Sequence, residues 1–156
     1  MLLALDISTS CTGYCIFDED KLIDIGSINL SKHKGLFDKA TQVKSDIIKL
    51  NKKHVITHVA VEENLQAFRP GLSSAKTLMT LAQFNGVVRW ICHEHLGVPV
   101  ESINVNTARK NVGLKINKKD KSKTTKEKVL DWVSEDNTSI KWPTKILKSG
   151  PNKGQK

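Results

Sequence analysis

The sequence predicts an α/β protein, a mixed five-stranded sheet flanked by helices. Three observations carry that expectation. The run Leu2-Leu3-Ala4-Leu5 is apolar without alternation, as in a strand buried on both faces in the middle of a sheet. A second such run, His54-Val55-Ile56-Thr57-His58-Val59-Ala60-Val61, lies beyond a stretch of helical periodicity. Both runs end in acids, the first in Asp6 before a Ser/Thr/Gly turn and the second in Glu62-Glu63. If the two strands are parallel neighbours, their terminal carboxylates converge at the sheet edge where open α/β sheets collect ligands, in a chemistry suited to hard divalent cations.

The elements follow in order. Residues 2 to 7, 13 to 18 and 21 to 28 read as three antiparallel strands, with Asp18-Glu19-Asp20 as the second hairpin turn. From 36 to 51, Leu36, Phe37, Ala40, Val43, Ile47 and Leu50 recur at helical spacing with lysines opposite, so this helix covers one side of the sheet. The strand from 54 to 62 comes next, and the right-handed rule for strand-helix-strand crossovers brings it alongside the first. A long helix from Ser73 to about His95 carries Ala75, Leu78, Met79, Ala82, Gly86, Val87, Trp90 and Ile91 as its apolar stripe. Ala82 and Gly86 permit close approach by another helix, in the core or at a dimer seam. Gly97 ends this helix, and Val98 to Val105 reads as a fifth strand, with Pro99 at its start or on an edge. Asn106 or Thr107 is expected to cap a short helix ending near Gly113. Lys115 to Lys123 reads as a basic loop and Thr124 to Val133 as a helix with Val129, Leu130 and Val133 inward. Strands 1 to 3 are thus antiparallel and strands 4 and 5 parallel. Residues 1 to 133 form one domain, and 134 to 156, which lack periodicity, form an irregular basic tail.

Composition narrows the partners. At 156 residues the chain is long enough to bury a core in one domain. No stretch approaches the roughly 18 apolar residues of a membrane span, and the first residues lack the basic and apolar regions of a signal peptide, so a cytoplasmic protein is expected. Cys11, Cys15 and Cys92 cannot all pair and match no zinc spacing, which makes them reduced packing residues. His93 and His95 are two apart, the wrong spacing for one helix face, and the histidines are not needed as ligands. The net charge of +9 is unevenly placed: residues 1 to 102 hold eleven Lys/Arg and eleven Asp/Glu, residues 103 to 156 fourteen and five. A basic last third opposite a carboxylate pair suits a polyphosphate backbone, although a solvated basic tail is the plainer alternative for Lys115 to Lys128 alone.

Taken together, these motifs resemble one family. Leu5-Asp6-Ile7-Ser8-Thr9-Ser10-Cys11-Thr12-Gly13-Tyr14 resembles the first motif of RuvC-type Holliday-junction resolvases, and Val59-Ala60-Val61-Glu62 their second. Phe68, Ser73-Ser74-Ala75, Ala82-Gln83-Phe84-Asn85-Gly86-Val87 and Val105-Asn106-Thr107-Ala108-Arg109-Lys110-Asn111-Val112-Gly113 run in the same register, over roughly residues 1 to 133. The resemblance implies an RNase H-like fold, a homodimer, and cleavage of four-way junctions, forks or flaps by two Mg2+ ions, with Mn2+ able to substitute. By the same resemblance Asp6 bridges both metals and Glu62 holds one. Neighbouring strand residues face opposite ways, so only one of Glu62 and Glu63 enters the site, and the motif register favours Glu62. Phe68 occupies the position of an aromatic that stacks on an opened base. Arg69, Lys76, Arg109, Lys110, Lys115, Lys118, Lys119, Lys121 and Lys123 would contact phosphates without reading sequence.

One departure matters. The family carries two further acids on a last helix, whereas the late acids here are Asp131, Glu135 and Asp136 and the sequence runs out in a Gly/Pro/Lys segment. The expectation is a chain lacking that catalytic helix, and the alternative to a nuclease is a junction-binding module without catalysis. An actin-like ATPase or sugar kinase also begins with a strand, an acid and a Ser/Thr/Gly loop, but needs two such lobes, which 156 residues do not hold.

Overall fold

The computed structural model describes residues 1–63, 74–116 and 122–136. Met1–Gly113 form one compact unit, and a second begins at Leu114. In the first unit, β1 (Leu2–Asp6), β2 (Cys11–Asp18) and β3 (Lys21–Asn29) are followed by α1 (Leu36–His54), β4 (His58–Glu62), α2 (Ala75–Leu96), β5 (Val100–Ile103) and α3 (Val105–Asn111). The strands lie in the order β3-β2-β1-β4-β5. β1, β2 and β3 pair antiparallel, and β4 is parallel to both β1 and β5. This is the mixed sheet expected from the sequence, with the second apolar run beside the first.

One side of the sheet carries the core. Leu3, Leu5, Ile16, Val59 and Val61 are buried against Ala40, Val43 and Ile47 of α1 and Phe84, Val88 and Ile91 of α2. At the crossing of β2 and β3, a Cβ on Gly26 would lie 2.5 Å from the Tyr14 hydroxyl oxygen, so the glycine makes room for the ring.

Several element boundaries differ from the expectation. Residues 54 to 57 do not open the fourth strand, because α1 continues to His54 and ends on Val55 in the left-handed region at φ 49°. The Val55 amide donates to the Asn51 carbonyl, and the Asn51 side chain accepts from Ile56 N at 2.8 Å. A β-branched residue rarely adopts that conformation, so nothing in the local sequence announces the stop. His54 is instead buried, with Nε2 2.9 Å from Asp24 Oδ2, an oxygen that also accepts from Lys53 Nζ at 2.7 Å. This clamp ties the end of α1 to β3.

The long helix begins at Ala75, two residues later than expected, with the Ser74 side chain accepting from Thr77 N at 3.1 Å, and closes on Gly97 in the left-handed region. Its buried stripe is also rotated from the expected one. Phe84, Asn85, Val88, Ile91 and Cys92 face the core, whereas Met79 and Trp90 are 65% and 58% exposed and Ala82 and Gly86 lie open. Phe37 of α1 is likewise 78% exposed. The fifth strand is shorter than expected, since Val105 already belongs to α3, and the helix is capped by Asn104 rather than Asn106 or Thr107. Asn104 Oδ1 accepts from Asn106 N at 3.0 Å.

The second unit contains α4 (Thr125–Asp136), preceded by a reciprocal cap. Thr124 N donates to Glu127 Oε2 at 2.6 Å and Glu127 N to Thr124 Oγ1 at 3.3 Å.

Candidate functional site

Register brings the two leading acids together. Leu5 pairs with Val61 in the parallel ladder, so Asp6 and Glu62 are one step further along neighbouring strands and on one face of the sheet. Both are exposed, and both line a cleft of about 430 Å³ with Ala4, Gly13, Ala60 and Ile103. Gly13 is the partner of Asp6 across the antiparallel ladder, and Ile103 the partner of Glu62 on the other side. The cleft, which Tyr14, Ile25 and Val105 also line, is thus a largely apolar surface ending in two carboxylates.

The turn that follows Asp6 is tied down from two sides. Thr12, fully buried, donates from Oγ1 to the Ser8 carbonyl at 3.1 Å and accepts from Ser8 N at 3.4 Å. From α1, Lys39 Nζ reaches the Thr9 carbonyl at 2.6 Å. At the other strand end, Glu63 N donates to the Ile103 carbonyl at 2.9 Å, and the Glu63 carboxylate accepts from Asn104 Nδ2 at 3.0 Å. Successive residues in a strand point to opposite faces, so Glu62 rather than Glu63 shares the Asp6 side. Sequence reasoning missed Lys39, Asn85 and Asn104. Asn85 left a readable trace, a polar amide in line with Leu78, Leu81, Val88 and Cys92 at helical spacing.

Two hard oxygen donors at one strand-end cleft fit Mg2+ or Mn2+, because Mg2+ commonly takes one or two protein carboxylates and completes its shell with water and substrate phosphate oxygens. Among the described residues no cluster of three or more His, Cys, Asp or Glu suitable for a metal occurs. Of the late acids, Asp131 accepts from Lys123 Nζ at 2.7 Å within the second unit, and this pairing raises the Lys123 pKa.

The remaining candidate DNA contacts are spread over several elements. Lys76 is exposed in the first turn of α2, Arg109 and Lys110 lie in the last turn of α3, and Lys115 and Lys123 are exposed in the second unit. Phe68, Arg69, Lys118, Lys119 and Lys121 lie outside the described residues, as does the tail from 137 onward. Burial pushes the Cys15 thiol up to about 11 and Cys92 to about 12, so both are protonated at neutral pH, while Cys11 is exposed.

The fold these elements build is the RNase H-like fold of RuvC-type Holliday-junction resolvases. Thermus thermophilus RuvC in complex with a Holliday junction substrate is 16% identical, with a TM-score of 0.68 over 92% of this chain and 82% of that one. A second Thermus thermophilus RuvC structure gives 0.61 at 16% identity over 92% and 84% of the two chains. The yeast mitochondrial Holliday junction resolvase Ydc2 gives 0.54 at 17% identity, over 86% of this chain and 61% of its own. No protein-family model and no curated protein matches the chain.

Proposed function

We propose that this protein is a structure-selective endonuclease that cuts Holliday junctions or other branched DNA by metal-dependent phosphodiester hydrolysis. The observation that carries the reading is the adjacent, same-face placement of Asp6 and Glu62 at the ends of parallel β1 and β4, on a fold shared with junction resolvases. Asp6 and Glu62 would hold two divalent cations, Mg2+ or Mn2+. When bound there, such ions supply Lewis-acid activation of the attacking water and stabilisation of the leaving oxygen.

The chain's own residues do the positioning. Thr12 and Lys39 hold the turn after Asp6, which keeps the end of β1 in place beside the cleft. Asn104 engages the Glu63 carboxylate and leaves Glu62 on the cleft side. The basic residues Arg69, Lys76, Arg109, Lys110, Lys115, Lys118, Lys119, Lys121 and Lys123 neutralise phosphates, and Phe68 stacks on an unpaired base. The working unit is a homodimer, joined along the exposed Ala82–Gly86 line of α2, where a Cβ on Gly86 would meet nothing within 4 Å. Residues 1 to 133 form its nuclease domain and 134 to 156 a basic tail, and the protein acts in the cytoplasm.

A second reading, a junction-binding module without catalysis, is favoured by the lack, among the described residues, of a cluster of three or more metal-ligating side chains at the cleft. A gel assay on a labelled four-way junction and a matched linear duplex, with Mg2+, with EDTA and with Asp6→Asn, separates the two. Symmetric nicks near the branch that require metal and Asp6 support the nuclease. Junction-selective binding without nicking supports the second reading, and equal binding to both DNAs rejects both.

A further inference from the structure

Asn85 is a polar side chain on the wrong side of a helix. It is 4% exposed among Phe84, Val88 and Cys92 on the core face of α2. An amide carried into such surroundings is unfavourable unless it is hydrogen-bonded. The acceptor it meets is the main-chain carbonyl of Glu62, 3.4 Å from Nδ2. The next amide, Glu63 N–H, is held from the other side by the Ile103 carbonyl of β5 at 2.9 Å. The Glu62–Glu63 peptide is therefore gripped at both its oxygen and its hydrogen as the chain leaves the sheet.

We infer that Asn85 is a positioning residue for the metal site, fixing the main chain at Glu62 so that its carboxylate meets the cation in one orientation. The inference rests on the nuclease reading above and adds to it a residue that touches neither metal nor DNA. Losing this hold would let the strand end fray at Glu62, so that its Cα, and the carboxylate it carries, would shift relative to Asp6. Partners that hydrogen-bond a ligating group matter to metal affinity by about 10–100-fold, and a hold on the ligand's main chain belongs at the lower end of that range.

The test is Asn85→Leu, which keeps the branched shape and removes the donor, with Asn85→Ser as a milder second variant and Val88→Ala as a control that loosens the same helix face without removing the bond to Glu62. Mn2+ alone is titrated into each folded protein by calorimetry and by electron paramagnetic resonance, and junction nicking is followed against Mg2+ concentration. The expected result is Mn2+ binding weakened about 10-fold or more in Asn85→Leu and partly in Asn85→Ser. The Mg2+ midpoint for nicking should rise in parallel, saturating Mg2+ should recover most of the rate, and junction affinity in EDTA should stay within about twofold. Unchanged Mn2+ affinity in either folded Asn85 variant, or an equal loss in Val88→Ala, overturns the inference. Wild-type protein whose Mn2+ binding does not depend on Asp6 and Glu62 overturns the nuclease reading itself, and the role of Asn85 with it.

Discussion

At Glu62 and Glu63 the chain offers two carboxylates in succession, and the strand pleat sends them apart. Glu62 continues the face of Asp6, while Glu63 meets Asn104. This difference is testable: Asp6→Asn and Glu62→Gln should each lower nicking by more than the about 10–100-fold expected of an indirect partner, whereas Glu63→Gln should stay within it. Junction affinity in EDTA should survive all three. Comparing single-turnover rates at saturating DNA checks the ranking. The thiols give a second residue-scale prediction. With Cys15 and Cys92 held protonated by burial and Cys11 exposed, native protein should react with a thiol reagent at Cys11 first. Peptide mapping after brief alkylation reads the order directly, and equal labelling of Cys92 would contradict it.

Among the elements, the last turn of α1 is tied to β3 through one carboxylate. Asp24 accepts from Lys53 and contacts His54, and the Lys53 hydrogen bond holds its carboxyl below the ordinary value of 3.8. A carboxyl depressed in the folded state stabilises fully at a pH above its unfolded value and loses that contribution as pH falls through the folded one. Asp24→Asn should therefore destabilise the protein by about 1–2 kcal/mol near neutral pH, in line with hydrogen bonds to charged groups. Its difference from wild type should shrink below about pH 4. Urea unfolding at pH 7 and pH 3.5 measures both numbers. The His54 side of the clamp was not legible in the sequence, because an apolar run with interspersed histidines looks the same as a strand or as the end of a helix. The left-handed Val55 decided it, and no Gly marks that turn. The phase of α2 failed to show for a related reason. Its apolar residues occupy more than one face, so Met79, Trp90 and Gly86 fit a stripe as well as Phe84 and Val88 do, and only packing on the sheet selects one.

For the whole molecule, charge and association make the predictions. The excess of Lys/Arg beyond residue 102 should make junction binding strongly salt-dependent, with Lys110→Ala lowering the slope of log affinity against log salt by about 1 if that side chain meets a phosphate. Fluorescence anisotropy at a series of NaCl concentrations reads the slope. The proposed dimer predicts a particle of about twice 17.4 kDa by light scattering. A charge on the open α2 line, Gly86→Glu, should return it to the monomer mass without unfolding it, since no atom lies within 4 Å of the new Cβ. A monomeric wild type at micromolar concentration would remove that seam.

The mixed sheet, the pairing of its fourth strand with its first, and an acid at the end of each of those strands could be read from the sequence. Those follow from local signals: continuous apolar runs, a helical period between them, and the handedness of the crossover. The pleat required that only one of Glu62 and Glu63 face the Asp6 side, and the resemblance to the resolvase motif pointed to Glu62. Packing in three dimensions set where α1 stops and which side of α2 is buried, and it brought Lys39, Asn85 and Asn104 to the ends of β1 and β4. Those three side chains act across elements distant in sequence, and although the phase of Asn85 on its helix leaves a trace in the sequence, the carbonyls and the carboxylate they meet are brought to them only by the packing of those elements.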